Sequence, residues 1–432
     1  MQGVDHRGTR DAAHHFRGGL GGADGGECVA KTVGDALEAV GDRAVEIDEE
    51  DGGRVTGVWQ RSHSFIVHVM SSDMTSGLNR AATDATGGLY ALDRHGDRDA
   101  RPGLVDFAVN VRGVPPEFVI EAVRARLGDL ARYPSHDDES QAVATVASAH
   151  ARPVEEVLLL AGAADGFEML PRLRPRHAPL IQPSFTEPEL VLRAAGIPVT
   201  QVVLPAPYQL ADAEVPDDAD LLVVGNPTNP TSVLHPVSAI AALRRPGRLI
   251  VVDEAFADLT LGPDGTREPA SLARHRWPDV IVIRSVTKTF GLAGLRAGYL
   301  LAAPEVIARL SAGRRPWPLA TPALAALVAC AGERGERYCA EQARAVESER
   351  ARMCDELERA GFGVLAEPRA PFVLVSADDA LPLKQRLADH GFAVRSCANF
   401  VGLGPDHLRL AVRPIDQVVA LTTAITSIRQ TQ

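Results

Sequence analysis

Short runs of Val, Ile and Leu recur through the middle of the chain, at 157–160, 179–181, 199–203, 221–224, 249–252, 280–283 and 298–301. Helical stretches separate most of them. Continuous apolar runs of this length predict strands buried on both faces, and their alternation with helices predicts a mainly parallel sheet sandwiched by helices. Ahead of this region, His95-Gly96-Asp97 and residues 105–110 read as an extended arm. Pro115 and Pro116 then open a helix predicted to reach about Ala131, since the first-turn N–H groups have no partner to lose. Tyr133-Pro134 breaks the pattern, and Asp137 or Asp138 is the predicted cap of the next helix, toward His150.

Beyond Pro304 the spacing becomes that of a long helical region, 322–360, broken near Gly332 to Gly335. A strand at 372–376, a helix at 381–390, strands at 392–395 and 408–412 and a closing helix from Ile415 follow. The predicted class is α/β, a large domain built on a mainly parallel sheet sandwiched by helices, with a smaller α+β C-terminal domain. Residues 1–73 form a poorly structured or small N-terminal extension, 74–132 the arm and first helix, 133–303 the large domain and 304–432 the small one. Within the extension, residues 1–26 have the Gly-, Asp-, Arg- and His-rich composition of a disordered leader. Val29, Val33, Leu37 and Val40 recur at helical spacing, 48–53 is an acidic turn, and 65–70 is strand-like.

Ligands on parallel sheets bind beyond the carboxyl ends of the strands. That is where the unusual residues fall. Gly162-Ala163-Ala164 follows one strand, Asn226 to Asn229 another, Asp253 a third and Lys288 a fourth. Lys288 lies in Ser285-Val286-Thr287-Lys288, with Arg296 beyond, a layout that suits a Schiff-base lysine as well as a surface turn. An amine condenses with a carbonyl only when deprotonated, so it needs an enclosed site. Asp253 at the crevice floor is costly unless paired. Its useful partner is a protonated ring nitrogen, although a helix-capping role is also open.

Gly162, Ala163 and Ala164 are small enough to let backbone N–H groups approach an anion at a helix start, or serve only the packing of a strand-to-helix turn. Gly291, Gly294 and Gly298 form no Walker loop, because Lys288 precedes them. Phe185 is a candidate to stack on a planar ring or a core residue, and Asn229 offers an amide donor from a twice-proline loop that is otherwise turn chemistry.

Asn-Pro-Thr-Asn-Pro-Thr (226–231), Val-Val-Asp-Glu-Ala-Phe (251–256) and Ser-Val-Thr-Lys (285–288) with Gly-Leu-Arg-Ala-Gly (294–298) resemble, in this order, the fold-type-I pyridoxal-phosphate enzymes of the class I/II aminotransferase family. The resemblance runs from about Leu89 to the C-terminus. It implies pyridoxal 5'-phosphate held by Lys288 as the internal aldimine, Asp253 on the ring nitrogen, Asn229 on O3′ and Phe185 on the ring face. It places the phosphate against Ala163, Ala164, Ser285, Thr287 and Arg296, with Gly162 at the turn. It further implies a homodimer in which Tyr133 reaches the neighbouring subunit's cofactor phosphate. Phe256 stands where many relatives carry Tyr, so a phenol donor to O3′ is missing and the aldimine is expected to be more basic.

Residues 394–404 with 407–413 look most like the L-threonine-O-3-phosphate decarboxylases of cobalamin biosynthesis, with histidinol-phosphate aminotransferases close by. Arg409 matches the arginine that forks onto a substrate carboxylate. Asn110, Arg112, Arg395 and Arg413 complete the expected substrate residues. Arg112 sits where those relatives have a second Asn, in an arm one residue shorter, and either adds a cation to the substrate pocket or faces solvent. The first expectation is therefore decarboxylation of L-threonine phosphate. The alternative is amino transfer from a histidinol-phosphate-like or other amino compound to 2-oxoglutarate, and a remote one is a transcriptional regulator built on this fold.

Composition narrows the partners. A net charge of -11 over 432 residues and a pI near 5.7 argue against nucleic acid. The five cysteines form no CxxC pair, so neither a disulfide framework nor a zinc ribbon is expected, and no metal site is. No apolar run approaches a membrane span, and a reducing cytoplasm fits best.

Overall fold

A computed structural model describes residues 92, 93 and 95–431, and the backbone of 53–61 and 64–71. The latter two segments, β1 (Gly53–Arg61) and β2 (Ser64–Ser71), pair as an antiparallel hairpin. The strand-like run at 65–70 lies in β2. The pattern missed β1, whose register shifts between Val55 and Val58 and so interrupts the period-two alternation. The leader, the helical spacing from Val29 to Val40 and the acidic turn begun at Asp48 lie outside the described residues.

Within residues 92–431, β3 (Val105–Asp106) belongs to the arm. Then come β4 (Val157–Leu160), β5 (Leu180–Gln182), β6 (Gln201–Val203), β7 (Leu221–Gly225), β8 (Leu249–Asp253), β9 (Val280–Ser285) and β10 (Gly298–Leu301). They form one seven-stranded sheet in the order β4-β10-β9-β8-β7-β5-β6. Its pairs are parallel except around β10, which runs antiparallel to both β4 and β9. All six residues of β9 are buried, and its first four, Val280 to Ile283, are the unbroken apolar run. Alternate side chains supply two separate cores. Ile250, Val252, Val280 and Val282 pack on one face, and Val251, Ile281 and Ile283 on the other.

The helix predicted to reach Ala131 ends sooner, at Glu117–Arg124, and a 3-10 turn over Leu127–Ala131 follows. Ser135 caps the next helix, His136–Ala149, in place of Asp137 or Asp138. Its Oγ accepts from the Asp138 N–H at 3.1 Å, and the two aspartates fall in the first turn, where they suit the helix dipole. Helices Thr321–Ala331 and Glu333–Arg359 meet at Gly332. Gly335 permits the junction, since a Cβ there would stand 1.8 Å from the Cys330 carbonyl oxygen.

The C-terminal region carries β11 (Gly363–Val364), β12 (Phe372–Ser376), β13 (Phe392–Ala393), β14 (Arg395–Ser396) and β15 (His407–Ala411). Four of these form an antiparallel sheet, β11-β12-β15-β14, with its own core of Val373, Val375, Leu408, Leu410, Val418 and Ile425. The predicted strand at 392–395 is split. Its first half, β13, leaves the sheet to pair in parallel with β3, and the Phe107 N–H donates to the Ala393 carbonyl at 2.8 Å. The arm is thereby strapped to the region that carries Arg395 and Arg409.

Candidate active site

The carboxyl ends of β7, β8 and β9 open onto a cavity of about 390 Å³. The start of the helix Ala163–Met169 after β4 also faces it, as do the arm residues His95, Asp97 and Asn110, and Arg395 and Arg409 from β14 and β15. Asp253 and Lys288 keep some surface, and both line this cavity. Burial pushes the Lys288 amine down to about 8, helped by the positive charges of Arg409 and Arg296. Its peptide carbonyl accepts from the Arg112 N–H at 3.0 Å, so the arm crosses directly over this turn. Gly291, at φ +66, makes room: a Cβ there would lie 3.0 Å from the Val114 carbonyl carbon.

Asp253 accepts one hydrogen bond, from the Ala255 N–H at 3.0 Å, and has no cation within ion-pair distance among the described residues. Burial raises its carboxyl to about 6, against the lowering effects of the Ala255 hydrogen bond and Lys288. A carboxyl whose folded value exceeds its ordinary 3.8 holds its proton more tightly folded than unfolded. Stability without a bound cation must therefore fall as pH rises from about 4 to about 6. The step from 3.8 to about 6 corresponds to roughly 3 kcal/mol. Denaturant melts of the cofactor-free protein across that window should show this loss, and Asp253→Asn should remove it.

A second group of cavity residues suits a phosphate. Gly162 caps the helix Ala163–Met169 at φ +86, and the Arg296 guanidinium lies against it. The Thr287 Oγ1 is buried without a hydrogen-bond partner among the described residues, and Ser285 Oγ accepts from the Thr287 N–H at 3.2 Å. An orphaned hydroxyl beside a guanidinium and a helix start has the donor chemistry of an oxyanion cradle. A Cβ on Gly162 would meet Arg296 Nη2 at 2.7 Å and would strain a positive φ. Gly162→Ala is expected to weaken binding of pyridoxal phosphate about tenfold, measured by fluorescence titration of the cofactor-free protein.

Asn229 and Arg409 are bonded to each other in the same cavity. Arg409 Nη1 donates to Asn229 Oδ1 at 2.7 Å, which leaves the Asn229 NH2 as a donor. Arg409 Nη2 donates to the Ala108 carbonyl at 2.5 Å. With its carboxamide oxygen turned toward the guanidinium, Asn110 accepts from Nη1 and Nε at 3.2 and 3.3 Å. All of these acceptors are neutral, and burial lowers the Arg409 guanidinium to about 10. A desolvated cation held by neutral groups favours an incoming anion.

The cavity thus gathers Ala163, Ala164, Phe185, Asn229, Asp253, Phe256, Ser285, Thr287, Lys288 and Arg296, with Asn110, Arg395 and Arg409. Arg395 donates to Asn399 Oδ1 at 2.7 Å and stands 3.8 Å from Asp99. Two expected substrate cations do not line the cavity. Arg112 turns away to Glu349 at 2.7 Å, and Arg413 is spent on the arm carbonyls of Asp106 and Val109, at 2.6 and 2.8 Å. Tyr133 also lies outside, 74% exposed and stacked on Trp317 at 4.1 Å. Sequence reasoning missed His95, Asp97, Glu187 and Phe400. His95 packs at 5.4 Å on Phe185, a tertiary contact with no local signal, whereas the position of Glu187 two residues after Phe185 could have marked it.

The class I and II aminotransferase family model matches residues 103–425. A histidinol-phosphate aminotransferase of Mycobacterium tuberculosis is 50% identical over 330 residues, 76% of this chain and 89% of that one. A threonine-phosphate decarboxylase of Salmonella typhimurium is 28% identical over 341 residues, 75% of this chain and 91% of that one. Among solved structures, the histidinol-phosphate aminotransferase of Clostridium acetobutylicum superimposes with a TM-score of 0.69 at 24% identity, over 76% of this chain and all of that one. The protein belongs to the class I and II aminotransferases, fold-type-I enzymes that use pyridoxal 5'-phosphate, and its cavity has the donors that this cofactor needs.

Proposed function

We propose that the chain transfers the amino group of histidinol phosphate, or a close phosphorylated analogue, to 2-oxoglutarate. The observation that carries this reading is the 50% identity to a histidinol-phosphate aminotransferase across 89% of that relative. The cavity is compatible with it, because the neighbouring Arg395 and Arg409 can take a phosphate in one half-reaction and a carboxylate in the other. Decarboxylation of L-threonine phosphate, the first expectation from the C-terminal segment, has thinner support, since the relative that bears that name is 28% identical.

When bound, pyridoxal phosphate supplies an electron sink for the bond broken at the amine-bearing carbon. Lys288 would hold the cofactor and, as a neutral amine, would take and return the proton at that carbon. Asp253 would keep the ring nitrogen protonated, Asn229 would donate to the ring oxygen, and Phe185 would pack on the ring. Gly162, Ala163, Ala164, Ser285, Thr287 and Arg296 hold the phosphate. The protein works as a homodimer, and the exposed Tyr133, Trp317 and Leu130 offer a surface for the second copy.

Incubation with histidinol phosphate and 2-oxoglutarate should yield glutamate and the corresponding ketone. Incubation with L-threonine phosphate alone should yield neither CO2 nor aminopropanol phosphate. Steady production of those two compounds, without glutamate formation in the first reaction, would reverse the proposal.

A further inference from the structure

Behind the sheet, Arg284 of β9 is buried among three carboxylates that no step above uses. Its Nη1 donates to Glu254 Oε2 at 2.9 Å and to Glu268 Oε2 at 3.0 Å, and its Nη2 donates to Asp258. Glu254 is held in turn by the Ser271 hydroxyl at 2.7 Å and the Leu272 N–H at 2.6 Å, and Glu268 by Arg267 at 2.6 Å. Tyr299 lies opposite Arg284 on β10, with His150 hydrogen-bonded to its hydroxyl at 2.8 Å, and Cys339 borders the same cluster.

Neighbouring strand residues point to opposite faces. Arg284 precedes Ser285 and Glu254 follows Asp253, so a cavity residue and a network residue alternate at the ends of β9 and β8. Thr289 extends the pattern to the lysine. It is fully buried beside Lys288, and its hydroxyl donates to Asp258 Oδ2 at 3.2 Å. Arg284 itself does not line the cofactor cavity. Three carboxylates around one buried guanidinium are a poor device for stability alone, because apolar residues of like volume do as well or better. They are a good device for fixing geometry, since every bond of the fork has one direction.

We propose that Arg284 is a positioning residue for the cofactor site. Through Asp258 and Thr289 it sets where the Lys288 amine stands, and through Glu254 it holds Asp253 at the cavity floor. This rests on the roles given above to Lys288 and Asp253.

The link is tested at Thr289, where valine removes one hydrogen bond with little change of volume and serine restores it. Two quantities are read on the holoprotein, the pH midpoint of the bound cofactor's absorption and its dissociation constant, with Tm as the control for folding. Thr289→Val should move the midpoint by about half a pH unit or more and weaken the cofactor about fivefold, the scale of a single hydrogen bond. Thr289→Ser should return both to the wild-type values, which a general loss of packing would not explain. Arg284→Lys, which keeps the charge but loses the fork, should move both further. If Thr289→Val titrates and binds like the wild type while Lys288→Ala abolishes the titration, the inference fails alone. If Lys288→Ala leaves the titration intact, the roles assigned to the cavity fail first.

Discussion

Arg409→Leu is expected to lower kcat/KM by a factor of about 10² to 10³, for the amino donor and for 2-oxoglutarate alike, with Tm changed by no more than a few degrees. The two halves of this result come from the same feature. Arg409 is desolvated, and its hydrogen-bond acceptors among the described residues are the neutral Asn229 amide, Ala108 carbonyl and Asn110 amide, so the fold gains little from its charge. An incoming phosphate or carboxylate gains a great deal. Arg413→Leu should behave in the opposite way. Its guanidinium holds the Asp106 and Val109 carbonyls of the arm, so its loss should cost stability and only secondarily activity. Chemical melts and initial-rate kinetics on the two variants separate a binding arginine from a strapping one.

Lys288→Ala should lower kcat by at least about 10⁴, since it removes both the cofactor's attachment and the base that moves the proton. The same residue makes a subtler test possible. Its amine is brought to about 8 by burial first and by Arg409 second. Taking away the Arg409 charge removes a cause of lowering, so the amine must rise. The acidic limb of the residual activity of Arg409→Leu should then lie at higher pH than in the wild type. A limb that moves to lower pH would show that Arg409 acts on Lys288 through something other than its charge.

Much of this arrangement can be read from the chain because the strands are buried on both faces. The apolar runs at 249–252 and 280–283 leave no second reading of their environment, and strand-end geometry then brings Asp253 and Lys288 together. The antiparallel direction of β10 was not legible, because a short buried strand looks the same run either way. Asp137 and Asp138 outcompeted Ser135 on propensity, yet the cap went to the residue whose hydroxyl reached the third N–H. Arg112 and Arg413 show a different limit. A long cationic side chain near a site can turn to any partner within reach, and Glu349 and the arm carbonyls lie nearer than the cavity. His95 reaches the cavity through packing that no local pattern encodes, whereas Glu187 stands only two residues after Phe185.

The central claim is that four strand ends converge to hold pyridoxal phosphate on Lys288. Borohydride treatment of the yellow holoprotein, followed by peptide mass mapping, tests it most directly. The pyridoxyl group should be found on the peptide containing Lys288, and Lys288→Ala should incorporate none. Incorporation at Lys384 or Lys31, or undiminished labelling of the alanine variant, would contradict the account.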